Sequence, residues 1–371
     1  MIPVNTPLLD GNEKKYLCEC IDTGWISSEG PFVSRLEEGM CKVTGRQHGI
    51  AVCNGSIALD IAVQALRLGP GDEVIMPTFT IISCAAAVVR AGATPVFVDA
   101  DPVTWNMCPQ QVEAAVNTKT RAIMVVHIYG LPVDMDPILE TARKHKLFVI
   151  EDAAEVHGQT YRGKPCGSFG DISTFSFYPN KHITTGEGGM ILADDPDLAE
   201  RCRSLRNLCF QPQKRFVHDE LGFNARMSNL QAAVGVAQLE RLSEFILRKR
   251  AIGRHYHTLL ADVEGIELPL PNTDYAENIY WVFGIVLAER LNVDATVLAQ
   301  KLHKGGLGTR PFFFPMHCQP VLQRLLNTSQ SLPVSEGLAR LGLYLPSGLA
   351  LTDEQIVESA TVTIQVLQSL C

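Results

Sequence analysis

Residues 146–194 read KLFVIEDAAEVHGQTYRGKPCGSFGDISTFSFYPNKHITTGEGGMILAD. Three short apolar runs, KLFVIEDA, DISTFSF and GGMILAD, are separated by stretches rich in Gly, Pro and polar residues. Their length and bounding turn residues predict strands. Upstream the pattern alternates. GIAVCNG (49–55), DEVIMP (72–77), TPVFVDA (94–100) and RAIMVVHIYG (121–130) read as further strands. SIALDIAVQALRLG (56–69), IISCAAAVVRAG (81–92) and PVDMDPILETARKHK (132–146) between them carry apolar residues at helical spacing. Strands that alternate with helices argue an α/β fold with a mostly parallel sheet. The strand runs are apolar throughout, as expected when helices cover both faces.

Outside this region two amphipathic helices are predicted at the N-terminus, over 11–22 and from Pro31 to a stop at Gly45, with the loop GWISSEGPF between them. After residue 228 the texture changes. MSNLQAAVGVAQLERLSEFILRKRAIGRHYHTLLADV has no proline and reads as one long helix or two in tandem. NIYWVFGIVLAE then predicts a strand, NVDATVLAQKLHKGG a helix, GTRPFFFP a strand or extended segment, and TDEQIVESATVTIQVLQSL a closing helix. At 371 residues two domains are expected: a large α/β domain over 1–245 and a smaller C-terminal α+β domain over 246–371. No internal repeat and no low-complexity linker is visible.

Composition narrows the function classes. Net charge is 32 − 40 = −8. The densest basic run is the RKR at 248–250, which reads as a solvated helix face, so nucleic acid is not expected as a partner. No apolar run approaches the ~18–20 residues that span a bilayer, and MIPVNTPLLDGNEKK lacks the parts of a secretory signal. The eleven cysteines are scattered and odd in number, which suits reduced thiols in the cytoplasm. Cys18 and Cys20 have no second pair at zinc spacing, and His255 and His257 point apart on a helix. No metal site is expected.

Four features carry chemistry. Asp152 closes a buried strand, at the sheet edge where ligands of α/β folds bind; its plain alternative is a helix cap for AAEVHG. Lys181 follows a strand end, Pro179 and Asn180, in a Gly/Thr-rich turn. A desolvated lysine forms imines readily; its plain alternative is a surface-loop lysine. Asn54-Gly55-Ser56 precedes a helix, with Ser56 as the expected cap, and a helix N-terminus is a natural phosphate cradle. Ser176 is a second hydroxyl near a strand end. Gly186–Gly189 lacks the spacing of a nucleotide P-loop. Phosphate cradle, strand-end acid and lysine in this order suit pyridoxal 5′-phosphate. The lysine would form the imine, and the acid would keep the pyridine nitrogen protonated.

The motifs TGWISSEGPFVSRLEE, CNGSIALDIAVQALRLGPGDEVIMPTFT, GATPVFVDAD, VIEDAAEVHG, GSFGDISTFSFYPNKHITTGEGGMI, LGFNARMSNLQAAVGVAQL, TRPFFFPMH and LYLPS span nearly the whole chain. In this order they resemble the DegT-like sugar-nucleotide aminotransferases of pyridoxal-phosphate fold type I. The resemblance implies a large, mostly parallel seven-stranded sheet domain and a smaller C-terminal α+β domain. It matches Lys181 to the imine-forming lysine and Asp152 to the acid at the pyridine nitrogen. Gly55, Ser56 and Ser176 match phosphate-binding positions. Asn224 matches an asparagine lent by the other subunit of a homodimer with shared active sites. Glu155 stands beside the cofactor ring where many relatives have Gln. Arg226, Arg310 and His317 match positions near the substrate or its supporting shell, and the loop Trp25-Ile26-Ser27-Ser28 resembles one beside the sugar nucleotide. Two positions depart from the pattern. Ile81 replaces the aromatic residue that stacks on the ring, unless Phe79 takes that place, and Ala86 replaces a frequent Asn.

The resemblance further implies amino transfer from L-glutamate to a nucleotide-linked 4-keto-6-deoxy sugar. GDP-4-keto-6-deoxymannose, giving GDP-perosamine for O-antigen and lipopolysaccharide biosynthesis, is favoured, and UDP- or dTDP-linked sugars are the alternative. A related branch with His at the lysine position performs dehydration; Lys181 argues against it, and His182 is read as a neighbour rather than a base. A regulator that keeps the fold without turnover is disfavoured by the intact Lys181, Asp152 and Ser56.

Overall fold

The computed structural model describes residues 1–370 except 212, 328 and 329. Its centre is a seven-stranded sheet. The strands run in the spatial order His48–Val52, Gly189–Ala193, Ile172–Ser176, Phe148–Asp152, Thr120–Val126, Glu73–Pro77, Thr94–Val98. Only Gly189–Ala193 is antiparallel to its neighbours; the other pairings are parallel. The fold is α/β, as the alternating pattern predicts. Almost every residue of these strands is buried, because helices cover both faces. Phe148–Asp152 lies in the middle, so its carboxyl end opens into the centre of the sheet's ligand-binding edge.

A second, antiparallel sheet pairs Ile266–Glu267, Phe283–Leu287, Gly342–Leu345 and Arg310–Pro311 in that order. The proline-free stretch after 228 forms two helices, Asn229–Leu239 and Leu242–Leu260, broken at Glu240 and Arg241. The N-terminus joins the C-terminal half: Ile2 donates its N–H to Gly306 and bridges Leu307. Among the described residues no helix is long and apolar enough to cross a membrane.

One local expectation is corrected and two open readings are decided. The helix expected from Ser56 begins at Gly55, and its cap is Asn54, whose side chain accepts the Ile57 N–H at 2.9 Å. Asn is as good a cap as Ser and stands one step nearer the strand. No helix follows Asp152: residues 153–158 form turns, so the carboxylate is free of a helix-capping role. Within GTRPFFFP only Arg310–Pro311 is paired as strand.

Candidate active site

At the carboxyl ends of the central strands lies a cavity of about 340 Å³. Gly55, Ser56, Ile81, Asp152, Glu155, Ser176, Lys181 and Arg310 all line it. Eight of the expected residues, drawn from six separate chain segments, therefore converge on one space.

Lys181 sits on the turn that leaves the strand Ile172–Ser176; its N–H donates to the Tyr178 carbonyl at 2.9 Å. Its amine is 3.8 Å from Glu155 Oε1 and 3.6 Å from the ring centroid of Trp281. Burial lowers its pKa, while the carboxylates of Glu155 and Asp152 pull it back up. Asp152 is buried at its strand end. Its Oδ1 accepts the Ala154 N–H at 3.1 Å and its Oδ2 accepts from the Cys84 thiol at 3.4 Å. Burial raises its pKa, against the Ala154 bond and Lys181. Glu155 Oε2 accepts the Tyr129 N–H at 2.8 Å. Desolvation pushes this carboxyl up to about 8.

Part of the cavity wall suits an anion. The helix Gly55–Ala65 presents its N-terminus there, where unsatisfied N–H groups favour negative charge. The Ser56 and Ser83 hydroxyls lie 2.7 Å apart on the same wall. A Cβ on Gly55 would come within 2.6 Å of Ser176 Cβ, so only glycine lets these two segments meet. The donor set fits pyridoxal phosphate: an amine for the aldehyde, an acid for the ring nitrogen, and N–H and hydroxyl donors for the phosphate.

The remaining expected residues lie elsewhere. Ser28 and Arg226 line a second, larger groove of about 1350 Å³, with Arg206 and Arg203. Arg226 is tied to the Asn207 side chain, and Asn224, exposed, bridges Asn207 through its backbone. Trp25 is half exposed, and the Trp25 and Ser27 carbonyls accept hydrogen bonds from Asn229. His317 reaches neither space. It is buried, with Nδ1 2.7 Å from Thr78 Oγ1 and Nε2 3.0 Å from Glu336 Oε1, and so braces the turn before Ile81. Phe79 is fully buried among Tyr129, Phe312 and Phe313, which leaves Ile81 on the cavity wall. Ala86 is half-buried on the helix Ile82–Arg90. His182 is buried, and burial holds its pKa well below the usual value.

Sequence reasoning missed Ser83, Tyr178 and Trp281, all on the cavity wall. Ser83 carried a readable signal: a hydroxyl in the first turn of a helix that follows a strand end. Trp281 carried none, because it reaches Lys181 from a bend a hundred residues away, just before the strand Phe283–Leu287 of the second sheet.

The sequence profile of the DegT/DnrJ/EryC1/StrS aminotransferase family matches residues 7–361. A protein of Caulobacter vibrioides named GDP-perosamine synthase is 44% identical over 99% of this chain and 98% of its own. A GDP-perosamine synthase of Escherichia coli O157:H7 is 42% identical over 96% of each chain. The crystal structure of Streptomyces venezuelae DesV in complex with a ketimine intermediate superposes with a TM-score of 0.89, at 33% identity, covering 96% of this chain and 94% of that one. The chain belongs to the DegT/DnrJ/EryC1/StrS aminotransferase family and is a pyridoxal-phosphate-dependent aminotransferase.

Proposed function

We propose that this chain transfers the amino group of L-glutamate to GDP-linked 4-keto-6-deoxymannose, giving GDP-perosamine for O-antigen synthesis in the cytoplasm. The observation that carries the reading is the near-complete coverage of two proteins of that name at 42% and 44% identity. The Lys181 cavity, whose wall combines the buried acid Asp152 with the N-terminus of the helix Gly55–Ala65, supports it.

Lys181 would hold the cofactor covalently, Asp152 would hold its ring nitrogen, and Gly55, Ser56 and Ser176 would hold its phosphate. Ile81 would pack on the ring and Glu155 would lie beside it. When bound, the cofactor supplies the electron sink that stabilises negative charge on a substrate carbon. The free Lys181 amine would serve as a base and then as an acid for the proton at that carbon. Its lowered pKa keeps a larger neutral fraction available for this work. Asp152 would hold the cofactor's ring nitrogen in its protonated form, and that positive charge would offset the cost of burying the carboxylate. We take residues 1–245 as the cofactor domain and 246–371 as the smaller domain. The chain acts as a homodimer, in which Asn224 of the partner subunit reaches the phosphate. Trp25, Ser27, Ser28, Arg226, Arg310 and His317 bind or support the sugar nucleotide.

The test is an assay with purified chain, pyridoxal phosphate and L-glutamate. GDP-, UDP- and dTDP-linked 4-keto-6-deoxy sugars are offered separately, and 2-oxoglutarate and product mass are read. Amination of the GDP sugar alone is expected. Amination of a UDP or dTDP sugar instead would keep the mechanism and replace the substrate. Loss of water without amino transfer would indicate a dehydratase. Lys181→Ala is expected to lower amino transfer by at least about 10³-fold, since it removes both the covalent attachment and the acid–base group.

A further inference from the structure

Glu155 is 4% exposed, and its Oε2 is anchored from behind by the Tyr129 N–H. Its Oε1 faces the Lys181 amine at 3.8 Å. On another side, the amine lies 3.6 Å from the Trp281 ring centroid. That ring is fixed in turn, because its indole N–H donates to the Asn180 carbonyl at 2.7 Å. The lysine is therefore held between a carboxyl group and an aromatic face, neither of which is free to move away.

We propose that Glu155 exchanges a proton with Lys181 and so sets the charge state of the lysine nitrogen. This rests on the cofactor reading of the site. In the exchange an N–H bond of the Lys181 ammonium breaks and an O–H bond forms on Glu155 Oε1. Two charged groups become two neutral ones, no electrons change hands, and the reverse transfer restores both. Charge counting selects Glu155 for this role. Two buried carboxylates, Glu155 and Asp152, face one ammonium, so a single positive charge cannot balance both in a medium of low polarity. Asp152 has two further donors, the Ala154 N–H and the Cys84 thiol, whereas among the described residues Glu155 has the Tyr129 N–H alone. Glu155 is thus the carboxylate that ionises less readily. The titratable groups facing it are Lys181, Asp152, the Cys84 thiol, and the phenols of Tyr129 and Tyr344. Both phenols and the thiol are held protonated by burial, which leaves Lys181 and Asp152 as its charged neighbours. Burial moves Glu155 up and Lys181 down, bringing the two towards a common range where a proton passes at little cost. A glutamine in this position could accept no proton, so that substitution removes the exchange while keeping the side chain's size.

The experiment adds pyridoxal phosphate to the full chain and to its Glu155→Gln and Glu155→Asp variants, then follows the visible absorbance of the lysine-bound cofactor against pH. Removing a carboxylate at this distance from the nitrogen is expected to lower the apparent pKa of that band by at least about one unit in Glu155→Gln. Glu155→Asp, which keeps the charge, is expected to stay within about half a unit of the parent. A Gln variant that titrates with the parent would overturn the proposal. No visible band from the parent chain would overturn the cofactor reading and this inference with it. A second measurement needs no cofactor: acetic anhydride acylation of Lys181 across pH, read by peptide mass spectrometry. There the onset of reaction is expected at lower pH in Glu155→Gln, and an unchanged onset would overturn the exchange.

Discussion

His157 lies between the rings of Phe175 and Phe177, with centroids 5.1 and 5.8 Å away. Burial, helped by the positive charge of Lys181, holds its imidazole down to about 3, far below the ordinary 6.5. The sign follows from proton counting. Between 6.5 and 3 the unfolded chain binds a proton at His157 and the folded chain does not. This residue therefore works against folding increasingly as pH falls through that window, and adds no pH dependence above it. His157→Phe keeps an aromatic ring in an aromatic site and removes the titration. The unfolding free energy of the variant relative to the parent is expected to grow on acidification, by about 1.4 kcal/mol per pH unit within the window. Urea titrations at pH 7, 5.5 and 4.5 would check it, and a constant difference between the two proteins would refute it. The same cost of buried charge made Asp152 and Lys181 legible in the sequence, since an acid closing an apolar strand, or a lysine in the turn after one, needs a reason to be there. Trp281 was not legible. Its contact with the amine depends on how two sheets sit together, and no local pattern reports that.

At the scale of elements, the N-terminus of the helix Asn229–Leu239 holds the N-terminal loop in place. Asn229 is buried. Its Oδ1 accepts the Phe32 N–H at 2.8 Å, its Nδ2 donates to the Trp25 carbonyl at 2.7 Å, and its backbone N–H donates to the Ser27 carbonyl at 2.8 Å. Gly30 has no side chain because one would collide with this amide. Asn229→Ala would leave two backbone groups without partners and is expected to cost about 2–3 kcal/mol. Hydrogen exchange over 24–32 should accelerate while exchange in the central sheet stays slow; unchanged protection of the loop would show that other contacts hold it. The loop itself was legible from GWISSEGPF, but the clamp was not, because its two ends are about two hundred residues apart. Elements were read best where periodicity was strong. Four short helices that the periodicity did not reveal, Pro109–Ala115, Pro196–Arg206, Pro320–Leu326 and Pro333–Leu341, each begin with proline in the first turn. That is a recognised start signal, and it was legible in principle.

At the scale of the molecule, the expected site is divided. The Lys181 cavity holds the groups for cofactor chemistry, whereas Ser28 and Arg226 line the larger, arginine-rich groove. A sequence pattern lists residues without saying which cavity each reaches, so this division was invisible before folding. The proposed homodimer with shared sites would account for it: each groove would receive the partner's active-site edge, and Arg226 of one chain would serve the Lys181 of the other. An isologous dimer makes this reciprocal. The consequence is testable by mixing inactive chains. Lys181→Ala and Arg226→Ala are each expected to be strongly impaired alone. When the two are co-expressed in equal amounts, about half of the dimers are mixed, and each mixed dimer has one site with both residues intact. Activity should therefore return to about a quarter of the parent value. If each chain instead completed its own site, every site would lack one residue or the other and mixing would restore nothing. Sedimentation at twice the 40.7 kDa chain mass is a precondition, and recovery on mixing is the outcome that separates shared sites from two independent ones.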